Sequence, residues 1–98
     1  MTGAGTFAIG ADHPSLPGHF PGDPVVPGVV LLDAAADLIL GALPGHRLAG
    51  LPQVKFLRPV RPTELVHVSF APAPERVVFA CHVGAAEAVR GTLLLAAV

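Results

Sequence analysis

The sequence has no tryptophan or tyrosine, a single cysteine and very little charge. Each scarcity closes a route. Five Phe are its only aromatic residues, so it lacks an aromatic platform for stacking bases. A net charge of −1 gives no electrostatic footprint for a nucleic acid. The lone Cys81 can form neither an internal disulfide nor a zinc knuckle. In the alternating context VVFACHV it reads as a small, inert apolar strand residue. No apolar run reaches the roughly 18–20 residues that span a bilayer. The longest candidate, 25–43, is interrupted by Pro27, Asp33 and Asp37. The N-terminal MTGAGTFAIG has neither the basic region nor the apolar core of a signal peptide. No membrane attachment is therefore expected, and a cytoplasmic location is the default.

What is present is apolar. The 98 residues, expected to form one domain spanning 1–98, are 52% hydrophobic and 13% charged, with a mean hydropathy of +0.65. Soluble domains usually carry about 25% charged residues. So little charge covers a small monomer poorly, which predicts that part of the surface is hidden in an oligomer.

Residues 5–11 (GTFAIGA) read as a short strand between glycines. Residues 12–27 hold Pro14, Pro17, Pro21, Pro24 and Pro27 together with Gly18 and Gly22. Proline fixes φ and removes a donor, so neither helix nor central strand runs here, and the loop is stiff. Pro27-Gly28 then opens VVLLDAAADLILGAL, and Gly41 with Pro44-Gly45 stops it, which predicts a helix over 28–42. That helix is apolar all round apart from Asp33 and Asp37, as in a helix buried on most sides. Strands are expected over 46–60 with a break near Pro52, over 64–70, over 76–83 and over 86–97. One helix against an antiparallel sheet is an α+β layer.

Three residues could carry chemistry. His19 sits in the stiff loop between Gly18 and Phe20-Pro21-Gly22, where fixed geometry suits the side chain best matched to proton transfer near neutral pH. Asp33 follows on an apolar helix, where a carboxylate is costly unless paired or solvated in a cleft. The alternative for each is structural: a satisfied loop histidine, and a polar stripe of two residues. Gly28 lies at the helix N-terminus, where amides lack intrahelical partners and a glycine admits close approach. A base, an acid and an oxyanion donor suit proton abstraction beside a thioester carbonyl with loss or addition of water at the next carbon. Such chemistry needs no cofactor and no metal.

The segment HFPGDPVVPGVVLLD, from His19 to Asp33, resembles the signature of the β-hydroxyacyl-(acyl carrier protein) dehydratases of the FabA/FabZ type. His13-Pro14 upstream, LPQVKFLRPVRPTEL at 51–65 and AAEAVRGTLLLAA near the end fit the same family. The resemblance implies a hotdog fold, one long central helix wrapped by an antiparallel sheet. It also implies a homodimer with active sites at the subunit interface, His19 of one subunit facing Asp33 of the other. His19 would take the α-proton of a 3-hydroxyacyl thioester carried on acyl carrier protein or coenzyme A, and Asp33 would handle the hydroxyl. Gly28 would hold the thioester carbonyl and the Val25 carbonyl would fix the histidine tautomer. Phe20, which packs the loop or lines the acyl pocket, and Val29 complete the substrate-binding set.

Three departures stand out. Asp37 replaces the family's usual Gln. One strand only precedes His13, which would alter the sheet edge or acyl tunnel. Val29 stands where one branch has Cys. Lys55, Arg58 and Arg61 read as a solvated strand end, or as a docking patch for an acidic carrier or its phosphate. His46, His67 and His82 show no metal-ligand spacing. Two other readings stay open: a hotdog thioesterase using the helix carboxylate to activate water, and a non-catalytic acyl-binding module.

Overall fold

The computed structural model describes residues 2–13 and 25–98; His19 and Phe20 lie outside the described residues. Its elements are β1 (Gly3–Phe7), α1 (Gly28–Ala42), β2 (His46–Phe56), β3 (Val66–Ala73), β4 (Arg76–Val83) and β5 (Ala86–Ala97). The strands form one five-stranded antiparallel sheet in the order β1-β3-β4-β5-β2.

The α1 boundaries are those the sequence predicts. Pro27 caps the helix, its carbonyl accepting from Val30 N–H at 3.0 Å and Leu31 N–H at 3.2 Å. β4 and β5 also lie where expected, joined at Gly84, whose φ of 58° suits a residue without Cβ. Two strands differ. β1 occupies 3–7 rather than 5–11, because Gly3 and Gly5 leave room for the Phe70 ring and the Leu38 side chain. β2 ends at Phe56 rather than 60 and runs through Pro52, which an edge strand tolerates because its outward N–H is not needed by a neighbour. Register shifts on either side of Gly50 absorb the irregularity.

Strand alternation places Val66, Val68, Phe70, Val77, Phe79, Cys81, Val89, Leu93 and Leu95 in one core with Leu31, Ala35, Ala36 and Ile39 of α1. Each large apolar side chain buried there contributes roughly 1.5–3 kcal/mol. The helix is buried along this face only. Val29, Asp33, Asp37 and Gly41, spaced four apart, form an exposed outward stripe, with Val29 67% exposed. The expectation of a helix buried on most sides is corrected for the single chain: the apolar residues between the two stripes are half-buried at its flanks. Among the described residues, no helix is long and apolar enough to cross a membrane.

Candidate active site

The helix N-terminus is fixed from both sides. Val26 N–H donates to Val60 O at 2.8 Å, tying the start of α1 to the segment after β2. Leu57 N–H donates to Ala88 O at 2.8 Å, holding that segment against β5. Between them opens a cleft of about 500 Å³ lined by Val25, Gly28, Leu31, Phe56, Arg58 and Pro59, among others. Gly28 stands at its head. Its N–H has no acceptor among the described residues, as the geometry of a first-turn amide dictates. The helix dipole adds positive potential at the same point. The cleft can therefore receive a polar oxygen at one end and apolar groups along its walls.

Phe56 gives Gly28 its physical reason. A Cβ on Gly28 would lie 2.8 Å from both Cε1 and Cζ of that ring, inside any real contact distance, so only glycine lets the phenyl lie across the first turn. Phe56 is 53% exposed, an apolar surface left open at the mouth of a cleft. Sequence reasoning missed it. One Phe in a β-strand carries no pattern of its own, and its neighbour in space is 28 residues away in the chain.

The other expected site residues divide. Val25 lines the cleft with Gly28. Val29 and Asp33 do not; both sit on the outward stripe of α1, as does Asp37. Asp33 therefore faces away from its own chain's cleft. The basic trio also separates. Arg58, in the cleft lining, has its Nη2 3.7 Å from Glu64 Oε2, and Glu64 Oε1 accepts the Arg61 backbone N–H at 2.7 Å. Lys55 points to the opposite face of the sheet, where its register partner is Arg90. Among the histidines, His46 Nδ1 lies 3.3 Å from Leu43 O at the end of α1, and His67 and His82 are cross-strand partners. No group of three metal-ligating side chains occurs among the described residues. Burial pushes the Cys81 thiol up to about 11, keeping it protonated and unreactive.

A sequence profile for ApeI-like dehydratases matches residues 3–92. The chain is 38% identical over 68 residues to 3-hydroxyacyl-acyl-carrier-protein dehydratase FabZ of Thermomicrobium roseum, covering 61% of this chain and 46% of that protein. It is 45% identical over 60 residues to the same-named protein of Thermus thermophilus, covering 52% and 42%. The matched stretch thus spans about half the length of these relatives. Among solved structures, the dehydratase heterocomplex ApeI:P from Xenorhabdus doucetiae superposes with a TM-score of 0.83 at 21% identity, covering 96% of this chain and 86% of that one. The F36A mutant of the fluoroacetyl-CoA-specific thioesterase FlK superposes with a TM-score of 0.77 at 16% identity, covering 100% and 85%. The helix and sheet are the hotdog fold these structures share.

Proposed function

The chain belongs to the ApeI-like dehydratase family, and from that premise we propose that it converts 3-hydroxyacyl thioesters to trans-2-enoyl thioesters, with the acyl group on acyl carrier protein. The observation that carries the reading is the acceptor-free amide of Gly28 at the head of an apolar cleft. Bound there, the thioester carbonyl gains a donor that strengthens as negative charge develops on its oxygen. In this reading His19 removes the proton from C2. The C2–H electron pair forms the C2–C3 double bond as the C3–O bond breaks. Asp33 passes a proton to the departing hydroxyl, which leaves as water. Return of the His19 proton to Asp33 through solvent restores the enzyme.

Asp33 is exposed on the outward stripe and does not line its own chain's cleft, which supports a site completed by a second chain. A homodimer supplies that carboxylate in the simplest assembly. Arg58, which lines the cleft beside Glu64, suits the phosphate of the carrier's prosthetic arm, with Arg61 three residues on as its candidate companion. The thioesterase resemblance rests on fold alone and adds no reaction.

The test is to incubate the full chain with 3-hydroxyacyl and trans-2-enoyl thioesters while following enoyl absorbance and free thiol. Interconversion without thiol release is expected. Thiol release would instead establish a thioesterase, and no turnover a binding module. Mixing His19→Ala with Asp33→Ala subunits should restore part of the activity; no recovery despite proven subunit exchange rules out the shared site.

A further inference from the structure

The near-zero net charge conceals a sorting of charge by the fold. Strand residues alternate between the face covered by α1 and the outer face. Leu93 and Leu95 are buried, so Arg90, Thr92, Leu94 and Ala96 turn outward. Their register partners Lys55, Gln53, Arg76 and Arg47 share that face. Four of the chain's six Lys and Arg residues thus project from one side of the sheet. Among the described residues, Glu87 is the only carboxylate on a strand. It approaches Arg90 Nε at 3.6 Å and His82 Nε2 at 3.8 Å. Asp33 and Asp37 lie on the helix side.

Lys55 and Arg90 stand directly opposite each other, an arrangement that destabilises a sheet. Glu87 offsets one of them; Lys55 has no ion-pair partner among the described residues. Beside the pair runs a shallow groove of about 400 Å³ whose lining includes Ser69, Ala71, Val78, Ala80 and Thr92. Val78, in its floor, is 56% exposed.

We propose that this outer face docks an acidic protein partner, which covers Val78 with an apolar side chain and sets carboxylates against Lys55 and Arg90. Charge argues against the same face of a second copy, since four cations would meet four. The apolar floor and the lack of any Tyr or Trp argue against nucleic acid. The groove lies across the sheet from the Gly28 cleft, so the partner leaves that cleft open, and the proposal stands independently of the dehydratase reading.

The probe is a synthetic amphipathic helical peptide with Glu along both flanks of an Ala/Leu stripe, titrated into the isotope-labelled full chain. Shift changes centred on Lys55, Val78, Ala80, Arg90 and Thr92 are expected. The double variant Lys55→Glu/Arg90→Glu should weaken binding by at least about tenfold, and the milder Lys55→Gln/Arg90→Gln by a few-fold. Val78→Ser should weaken it with the salt dependence unchanged, and Arg58→Glu should leave it unaltered. No saturable binding, shifts centred on Arg58 and Arg61, or tighter binding of a DNA duplex each overturns the proposal. So does sedimentation showing that the double variant dissociates an assembly of copies.

Discussion

The two faces of the sheet differ by one residue of chain and by nearly everything else. Toward α1 stand Val66, Val68, Phe70, Val77 and Phe79, all buried. One position along, on the other side, stand His67, Ser69, Ala71, Val78 and Ala80, with the cations of β2 and β5 beside them. The covered face holds the fold together and presents the Gly28 cleft at its rim. The outer face contributes little to stability and carries most of the positive charge. A chain with so few charged residues can therefore still be strongly polarised, because a period of two assigns successive residues to opposite sides of the sheet wherever no bulge shifts the register.

The largest effect is expected where α1 presents its outward stripe. Asp33→Asn should lower kcat/KM for enoyl formation by about 10²–10⁴-fold, while Asp37→Asn, one turn on, should cost far less. Equal losses would mean that the stripe acts as a unit rather than through one acid. On stability, Phe79→Ala should destabilise by about 3–5 kcal/mol in a denaturant titration. Its chain neighbour Val78→Ala should change stability by less than about 0.5 kcal/mol. Comparable values would erase the contrast between the faces.

Cys81 sharpens the same contrast through pH. Its folded-state value is raised from 9.0 to about 11 by burial, and a raised value favours the folded chain only while the thiol is protonated. Its contribution is intact below about 9 and is lost as pH rises through about 11. That difference corresponds to about 3 kcal/mol. Cys81→Ala should flatten this part of the stability profile. The smallest effect concerns Gly28. Gly28→Ala should lower kcat/KM about tenfold by displacing the Phe56 ring, with the fold retained. Gly28→Ala/Phe56→Leu should recover much of the loss, and no recovery would show that the ring is not the obstacle.

How much was legible in sequence follows from how local each cause is. α1 was read to the residue because Pro27-Gly28 and the Gly41 to Gly45 segment act within one turn. β4 and β5 are apolar runs bounded by tight turns, which set their limits although their pairing carries a register shift at Cys81/His82. β1 was displaced because its glycines are explained by Phe70 and Leu38, which belong to other elements. Pro52 suggested an interruption, and its tolerance depends on β2 lying at an edge, a fact of topology. In the site, Gly28 was legible from the helix start. Phe56 and the parting of Lys55 from Arg58 were not, since both follow from strand register and the end of β2.

The single thiol also makes the molecule its own clock. Cys81 sits in β4, the middle strand, with Val68 and Val89 as register partners on either side. A labelling reagent can reach it only when the sheet parts there. The rate at which the folded protein consumes such a reagent therefore counts openings of the central strands. No probe need be installed, and the count can be taken with the Gly28 cleft or the outer face either free or occupied.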